Sequence, residues 1–197
     1  MSRSVIYSKI QYMNTKQPYL KQQFKDVITP FIRKELGLKN IHQVPSLQKI
    51  VLNTGFNAST DKATIEAIVK DLSLVAGQKA LITKAKKSIA NFKLREEMPV
   101  GAKVTLRGAK MYDFLFRFIA VALPSIRDFR GTSRKLDGSG NYSIGITDHT
   151  IFPEINVDGR NISMGMDVTL CTSSNSDESA IILLEKFGMP FRKNTTS

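Results

Sequence analysis

This chain of 197 residues has little of what enzyme chemistry usually needs. It has one cysteine, Cys171, so no internal disulfide can form, which suits a reducing compartment. Cys171 lies in a run where Met166, Val168 and Leu170 alternate. It reads as a packed small residue rather than a nucleophile. Only two histidines occur, His42 and His149, in different connectors. Neither has a partner at metal-ligand spacing, so both read as surface or turn residues, and no metal or other cofactor is implied. No apolar run reaches the ~18–20 residues of a membrane span, and the start, MSRSVIYSKIQYMN, lacks a signal-peptide apolar core. Glu96-Glu97 are consecutive strand-end residues that point to opposite faces, a poor acid–base pair. Asp137-Gly138-Ser139-Gly140 lacks the Lys-Ser/Thr of a phosphate loop and reads as a turn. Acids that could hold a catalytic metal are scarce near the basic residues. These shortages argue against an enzyme.

What the chain does have is basic charge, with a net of +12 and a sequence pI near 9.9. That passes the crude threshold for a nucleic-acid footprint. An acidic membrane surface or an acidic protein would also suit basic charge. Hydrophobic content of 42% fills an ordinary core, so this is a globular chain. The charge is uneven. Residues 79–135 carry fourteen basic and four acidic side chains, whereas residues 136–197 carry four and eight. An acidic C-terminal third implies one oriented basic face. The densest stretch is Gly77–Gly108, GQKALITKAKKSIANFKLREEMPVGAKVTLRG. In Val100–Arg107, Lys103, Thr105 and Arg107 alternate with Ala102, Val104 and Leu106, and Asn91, Lys93 and Arg95 alternate with Phe92 and Leu94. Period-two alternation predicts strands with one apolar and one polar face.

The remaining elements follow from spacing. Residues 18–36 read as a helix with a kink or break near Thr29, because Pro30 lies inside it. Leu47–Asn53 reads as a strand, with Ile50 and Leu52 on one face and Lys49, Val51 and Asn53 on the other. A helix through Val75 follows a cap at Ser59, Thr60 or Asp61, and Gly77 stops it. Ala80–Thr83 reads as a short strand, then Lys84–Ile89 as a basic loop. A helix runs from about Ala109 to Leu123, where Pro124 ends it. Residues 125–143 read as a long exposed loop. Tyr142–Thr147 and Ile162–Thr172 read as strands, and Ser176 or Asp177 caps a last helix through Phe187. Helices interrupt the strands without regular alternation. The order predicts an α+β fold, a single domain with a curved, largely antiparallel sheet backed by helices on one face. The open face would hold Lys49, Asn53, Lys93, Arg95, Lys103, Thr105 and Arg107.

Such a face suits RNA. Lys and Arg neutralise phosphates, while Asn, Gln and Thr can reach base edges and ribose hydroxyls. Few aromatics fall on it, so base stacking is not indicated. A structural RNA-binding protein, a general RNA chaperone or assembly factor, and a distant RNA-modifying enzyme remain open at this point.

Longer motifs narrow the choice. Val44-Pro45, KIVLNTG at 49–55, AGQKALITKAKKSIANFKLR at 76–95, PVGAKVTLRG at 99–108, IRDFRG at 126–131, GNYSIGI at 140–146, IFPEI at 151–155 and MPFRK at 189–193 stand in family order and spacing. The chain resembles the bacterial-type ribosomal protein L-five family, over roughly residues 18–193. The resemblance implies an α+β cup without catalytic activity. It implies a protein that binds 5S rRNA in the central protuberance of the large ribosomal subunit, beside 23S rRNA and other central-protuberance proteins. By motif, Asn53 of LN-x-G, Gln78 of GQK and Thr105 of KVTLRG would contact 5S rRNA, with Lys49, Lys79, Lys103 and Arg107 around them. The loop with Lys84, Lys86, Lys87, Ser88, Lys93 and Arg95 would face P-site tRNA. Arg127, Arg130, Arg134 and Lys135 would serve other rRNA or the small-subunit head protein S-thirteen. The expected setting is a ribosome in the cytoplasm, with an organellar ribosome as the alternative and no membrane partner.

The chain departs from the family pattern in places. Ala80 stands where Pro often follows GQK, and Ser125 where Arg commonly precedes IRDFRG. Residues 1–17 read as a basic, flexible extension, with five basic and no acidic side chains through Lys25, and residues 194–197 as a tail.

Overall fold

A computed structural model describes residues 18–155 and 164–192. The extension at 1–17, the tail at 194–197, Lys193 and the start of the strand expected at Ile162 lie outside the described residues.

The first helix, α1, runs through its proline instead of breaking. It comprises α-helical turns at Tyr19–Gln23 and Thr29–Glu35, joined by a π-helical turn at Phe24–Ile28. A proline ring clashes with the carbonyl four residues back and donates no N–H. Here the turn before Pro30 is widened, and the Thr29 N–H and hydroxyl both donate to the Phe24 carbonyl, the hydroxyl at 2.7 Å. Gly37 (φ 62°) ends the helix, and the Leu38 N–H closes onto Arg33 O at 3.0 Å.

Five strands follow the alternation of apolar residues. They are β1 Leu47–Gly55, β2 Leu81–Lys84, β3 Pro99–Leu106, β4 Tyr142–Ile146 and β5 Met166–Thr172. Three further helices are α2 Lys62–Ala76, α3 Gly108–Arg117 and α4 Asp177–Lys186. A π-helical turn, Phe118–Ala122, and a 3-10 turn, Leu123–Ser125, extend α3 through Pro124. The sheet order is β2-β3-β1-β5-β4, antiparallel throughout. The molecule is thus a single α+β domain with an antiparallel sheet.

One layer of helices covers one face of the sheet. Ile50 and Leu52 of β1, Val104 and Leu106 of β3 and Val168 and Leu170 of β5 join Leu72 and Val75 of α2, Leu115 of α3 and Leu183 and Leu184 of α4 in one core. Burying each such side chain fully contributes about 1.5–3 kcal/mol. Phe114 and Phe118 stack with centroids 5.7 Å apart, and both rings meet Phe152, so α3 anchors the connection after β4. The opposite face of β3, β1 and β5 has no covering layer among the described residues.

Two connectors differ from expectation. Asn91–Arg95 is not a strand. Ala90–Phe92 is a 3-10 turn, and Lys93 is left-handed (φ 53°). His149 stands in a turn, as expected, but not on the surface. It is buried, accepts the Met164 N–H at Nδ1 (3.3 Å), and presents Nε2 to the Asp71 carboxylate at 3.7 Å.

Candidate nucleic-acid interface

The register of β1 builds the open face. Its odd-numbered residues 49–55 point away from the core, and each antiparallel pair shares a face. Asn53 lies between Lys103 of β3 and Asp167 of β5, and Val51 between Thr105 and Thr169. Lys49 pairs with Cys171. Cys171 therefore sits half-buried on the open face, opposite to the packed Met166, Val168 and Leu170. Asn53 and Thr105 are diagonal neighbours on adjacent strands, about 7–8 Å apart by sheet geometry.

Gln78 reaches the same place from α2. Gly77, left-handed at φ 61°, ends that helix and turns the chain toward β3. Gln78 Nε2 then donates to the Thr105 carbonyl, a long contact at 3.4 Å. Lys110 Nζ donates to Gly77 O at 3.1 Å and ties the start of α3 to the same corner. Asn53, Gln78 and Thr105 are thus brought together from a strand, a helix end and a second strand, and all three are exposed. The side chains of Lys49, Lys79, Lys103 and Arg107 have no hydrogen bond or ion pair among the described residues, so their charge is open to a partner. Arg107 stands at the N-cap position of α3, beyond the end of β3, without a side-chain capping bond.

Lys93 and Arg95 are not on this face. β2 and β3 continue past the sheet as a narrow hairpin. At its base Ala85 N donates to Met98 O (2.8 Å) and Glu97 N to Ala85 O (3.0 Å). Near its tip Ile89 and Leu94 exchange backbone hydrogen bonds at 3.0 and 3.1 Å. Lys86, Lys87, Lys93 and Arg95 are exposed along it, and Lys84 pairs with Glu97 at 3.2 Å on an open surface, which adds little stability. The Ser88 hydroxyl is used internally, accepting the Glu96 N–H at 3.0 Å. Phe92, assigned by alternation to an apolar face, instead stands at the tip with 67% of its surface exposed, and Ile89 nearby is 44% exposed.

The loop at 125–143 divides. Arg127, Arg130 and Lys135 are exposed. Arg134 is committed elsewhere: it pairs with Glu185 and lies 5.9 Å from the Phe191 ring centroid. Thr132 is buried, with its N–H on Pro190 O (2.8 Å) and its carbonyl accepting the Arg192 N–H (2.9 Å). The glycine turn also closes on the protein itself. Gly138 N and Gly140 N donate to the two carboxylate oxygens of Asp177, at 3.1 and 2.9 Å. Asp137 accepts from the Asn141 side chain and from the N–H groups of Asn141 and Ser139, which hold its pKa below the ordinary value. The N–H groups of this turn serve carboxylates of the protein itself, Asp137 within the turn and Asp177 at the start of α4.

Two residues escaped the sequence reading. Asp167 lies on the open face beside Asn53, and only the β1–β5 register puts it there. Lys110 carried charge in the sequence, but nothing there signalled its bond to the end of α2.

Comparison with known proteins fits this architecture. Residues 40–95 match the family described as Ribosomal protein L5, and residues 99–191 match the model of that ribosomal family's C-terminus. The boundary between the two matches falls inside the hairpin, and the β2–β3 and β1–β3 ladders join both parts into one sheet. The chain is 53% identical to Large ribosomal subunit protein uL5 of Prochlorococcus marinus (strain NATL1A) over 176 residues, 88% of this chain and 98% of that protein. It is 50% identical to the protein of the same name from Parabacteroides distasonis over 174 residues, 88% and 94% of the two chains. It is also 50% identical to that of Thermosipho africanus over 176 residues, 88% and 97%. These matches define the class: a structural constituent of the large ribosomal subunit, not an enzyme. Within that class, the chain belongs to the ribosomal protein L5 family.

Proposed function

We propose that this protein anchors 5S rRNA in the central protuberance through the open face of its sheet. One observation carries the reading. Among the described residues, Asn53, Gln78 and Thr105 converge on an uncovered face, with unpaired Lys49, Lys79, Lys103 and Arg107 on it or at its rim. The neutral groups supply hydrogen bonds to bases and 2′-hydroxyls, and the cations supply salt-dependent affinity for phosphates. The 84–98 hairpin, projecting from the sheet edge with its cations exposed, serves P-site tRNA. Arg127, Arg130 and Lys135 serve 23S rRNA or the small-subunit head protein S-thirteen, and Arg134 positions the loop that carries them. Residues 18–193 form the ribosomal unit, with 1–17 as a basic extension and 194–197 as a tail. The setting is a cytoplasmic ribosome, with an organellar one as the alternative.

The test is binding of the pure protein to isolated 5S rRNA and to an unrelated folded RNA at two salt concentrations. A clear preference for 5S rRNA at both supports the reading, and equal affinities overturn it. Asn53→Ala or Thr105→Ala is expected to cost about 1–3 kcal/mol of 5S binding, because each leaves a buried polar partner unmatched. Lys86→Ala is expected to leave 5S affinity unchanged and to weaken P-site tRNA binding by ribosomes that carry the variant.

A further inference from the structure

An RNA-facing sheet gains nothing from a carboxylate near phosphates, yet Asp167 stands on this one, near the start of β5 and beside the central strand β1. It is exposed and pairs directly with Asn53, which pairs on its other side with Lys103. Strands about 4.8 Å apart place the Lys103 and Asp167 backbones roughly 10 Å from each other. No ion pair joins them, and the Asp167 carboxylate has no hydrogen-bond partner among the described residues. Its neighbour on β4 is Gly145, and a Cβ added there would meet Asp167 Oδ1 at 3.5 Å. The carboxylate thus leans over a residue without a side chain, and among the described residues it is exposed. The next pair, Ser143 and Thr169, is already satisfied by a hydroxyl–hydroxyl bond of 3.0 Å.

We propose that Asp167 is a specificity residue of this face and accepts hydrogen bonds from the Watson–Crick edge of an unpaired guanine. The inference rests on the reading that this face binds 5S rRNA. A carboxylate offers two acceptors and no donor. Among the four bases, only guanine presents two parallel N–H donors on that edge, at N1 and N2. Unstacked loop bases are the parts of RNA whose edges proteins read. The adjacent Asn53 amide can both donate and accept, so it can meet the guanine O6 or a neighbouring ribose. In this arrangement Lys103 holds phosphate while Asp167 excludes it, which fixes the orientation of the strand across the sheet.

The test turns on sign. Asp167→Asn keeps the shape, removes the charge and replaces one acceptor with a donor. Its affinity is measured for 5S rRNA and for an unrelated folded RNA, and kethoxal, which modifies guanine at N1 and N2, maps unpaired guanines with each protein bound. The expected result is a loss of about tenfold or more on 5S rRNA, no loss or a gain on the unrelated RNA, and one guanine protected by the wild-type protein alone. An equal gain on both RNAs overturns the proposal, since Asp167 is then only a repelling charge. A deficit that vanishes when Mg²⁺ is replaced by monovalent salt also overturns it, by assigning the carboxylate to a bridging cation. If the wild-type protein itself does not distinguish the two RNAs, the 5S reading fails and the proposal falls with it.

Discussion

Asn53 and Lys103 are directly paired on neighbouring strands, yet substituting them is expected to damage binding in two separable ways. Both side chains are exposed and outside the core. Replacing either is therefore expected to change folding stability by no more than about 0.5 kcal/mol, and any loss of affinity belongs to the interface. Among the described residues, four cations, Lys49, Lys79, Lys103 and Arg107, stand unpaired on the face or at its rim. If each neutralises one phosphate, the slope of log K against log salt is about −3.6. Doubling the salt then weakens binding about 12-fold. Lys103→Gln removes one contact, so the slope falls to about −2.7 and doubling the salt costs only about 6- to 7-fold. The variant is expected to lose affinity for 5S rRNA and for an unrelated RNA alike.

Asn53→Ala changes no charge. It is expected to leave the slope near −3.6 while lowering 5S affinity by about 5- to 150-fold, the equivalent of 1–3 kcal/mol. Affinity for the unrelated RNA is expected to stay nearly constant. Filter binding or fluorescence anisotropy at four salt concentrations, with both RNAs and both variants, measures all these quantities. The reasoning is refuted if Asn53→Ala flattens the salt slope, or if it lowers affinity for both RNAs by the same factor. Either result would make the face a general cation surface.

Further expectations concern the frame around this face. Gly140→Ala is expected to destabilise the fold by about 1–3 kcal/mol or more, because Gly140 has φ 75° and a Cβ there would meet Ser174 O at 2.6 Å; a thermal melt reads this as a lowered Tm. Phe92→Ala is expected to leave Tm unchanged, since the ring lies largely in solvent and outside the core, and a marked drop would show that the tip packs against the protein. Asp137 has a lowered folded pKa, chiefly from its hydrogen bond with the Asn141 side chain, so its contribution is full above its unfolded pKa near 3.9 and is lost as pH falls through the lower folded value. Asp137→Asn is therefore expected to remove part of the pH dependence of stability below about pH 4, as measured by chemical denaturation at pH 3 and pH 6.

The parts of this fold with a buried side were legible in the sequence. In β1, Ile50 and Leu52 alternate with Lys49, Val51 and Asn53 because helices cover one face and not the other. The same physics misleads in Asn91–Arg95. There the alternation has no opposing layer to enforce it, because the hairpin has left the sheet, and a tight turn at Ala90–Lys93 sets the conformation instead. Arg134 was illegible for another reason. Its partners, Glu185 and Phe191, lie more than 50 residues away, and no local pattern announces them. At Pro30, local chemistry foresaw the obstacle but not the outcome. Core residues on both sides, Ile28 and Ile32, hold the helix together, and the π turn absorbs the proline.

Charge counted along the chain misled in a more instructive way. An acidic C-terminal third implied one oriented basic face. Antiparallel pairing does not keep sequence thirds apart. β1 from the first third lies between β3 from the basic middle and β5 from the acidic end. The open face therefore reads Lys103, Asn53, Asp167 across three strands, with both signs of charge and an amide between them. A uniformly basic face would favour any RNA. A face that also contains a fixed acceptor excludes every pose that brings phosphate to Asp167, and such exclusion is how charge confers selectivity as well as affinity. On this argument the residue that looked least suited to RNA is the one that limits which RNA can bind.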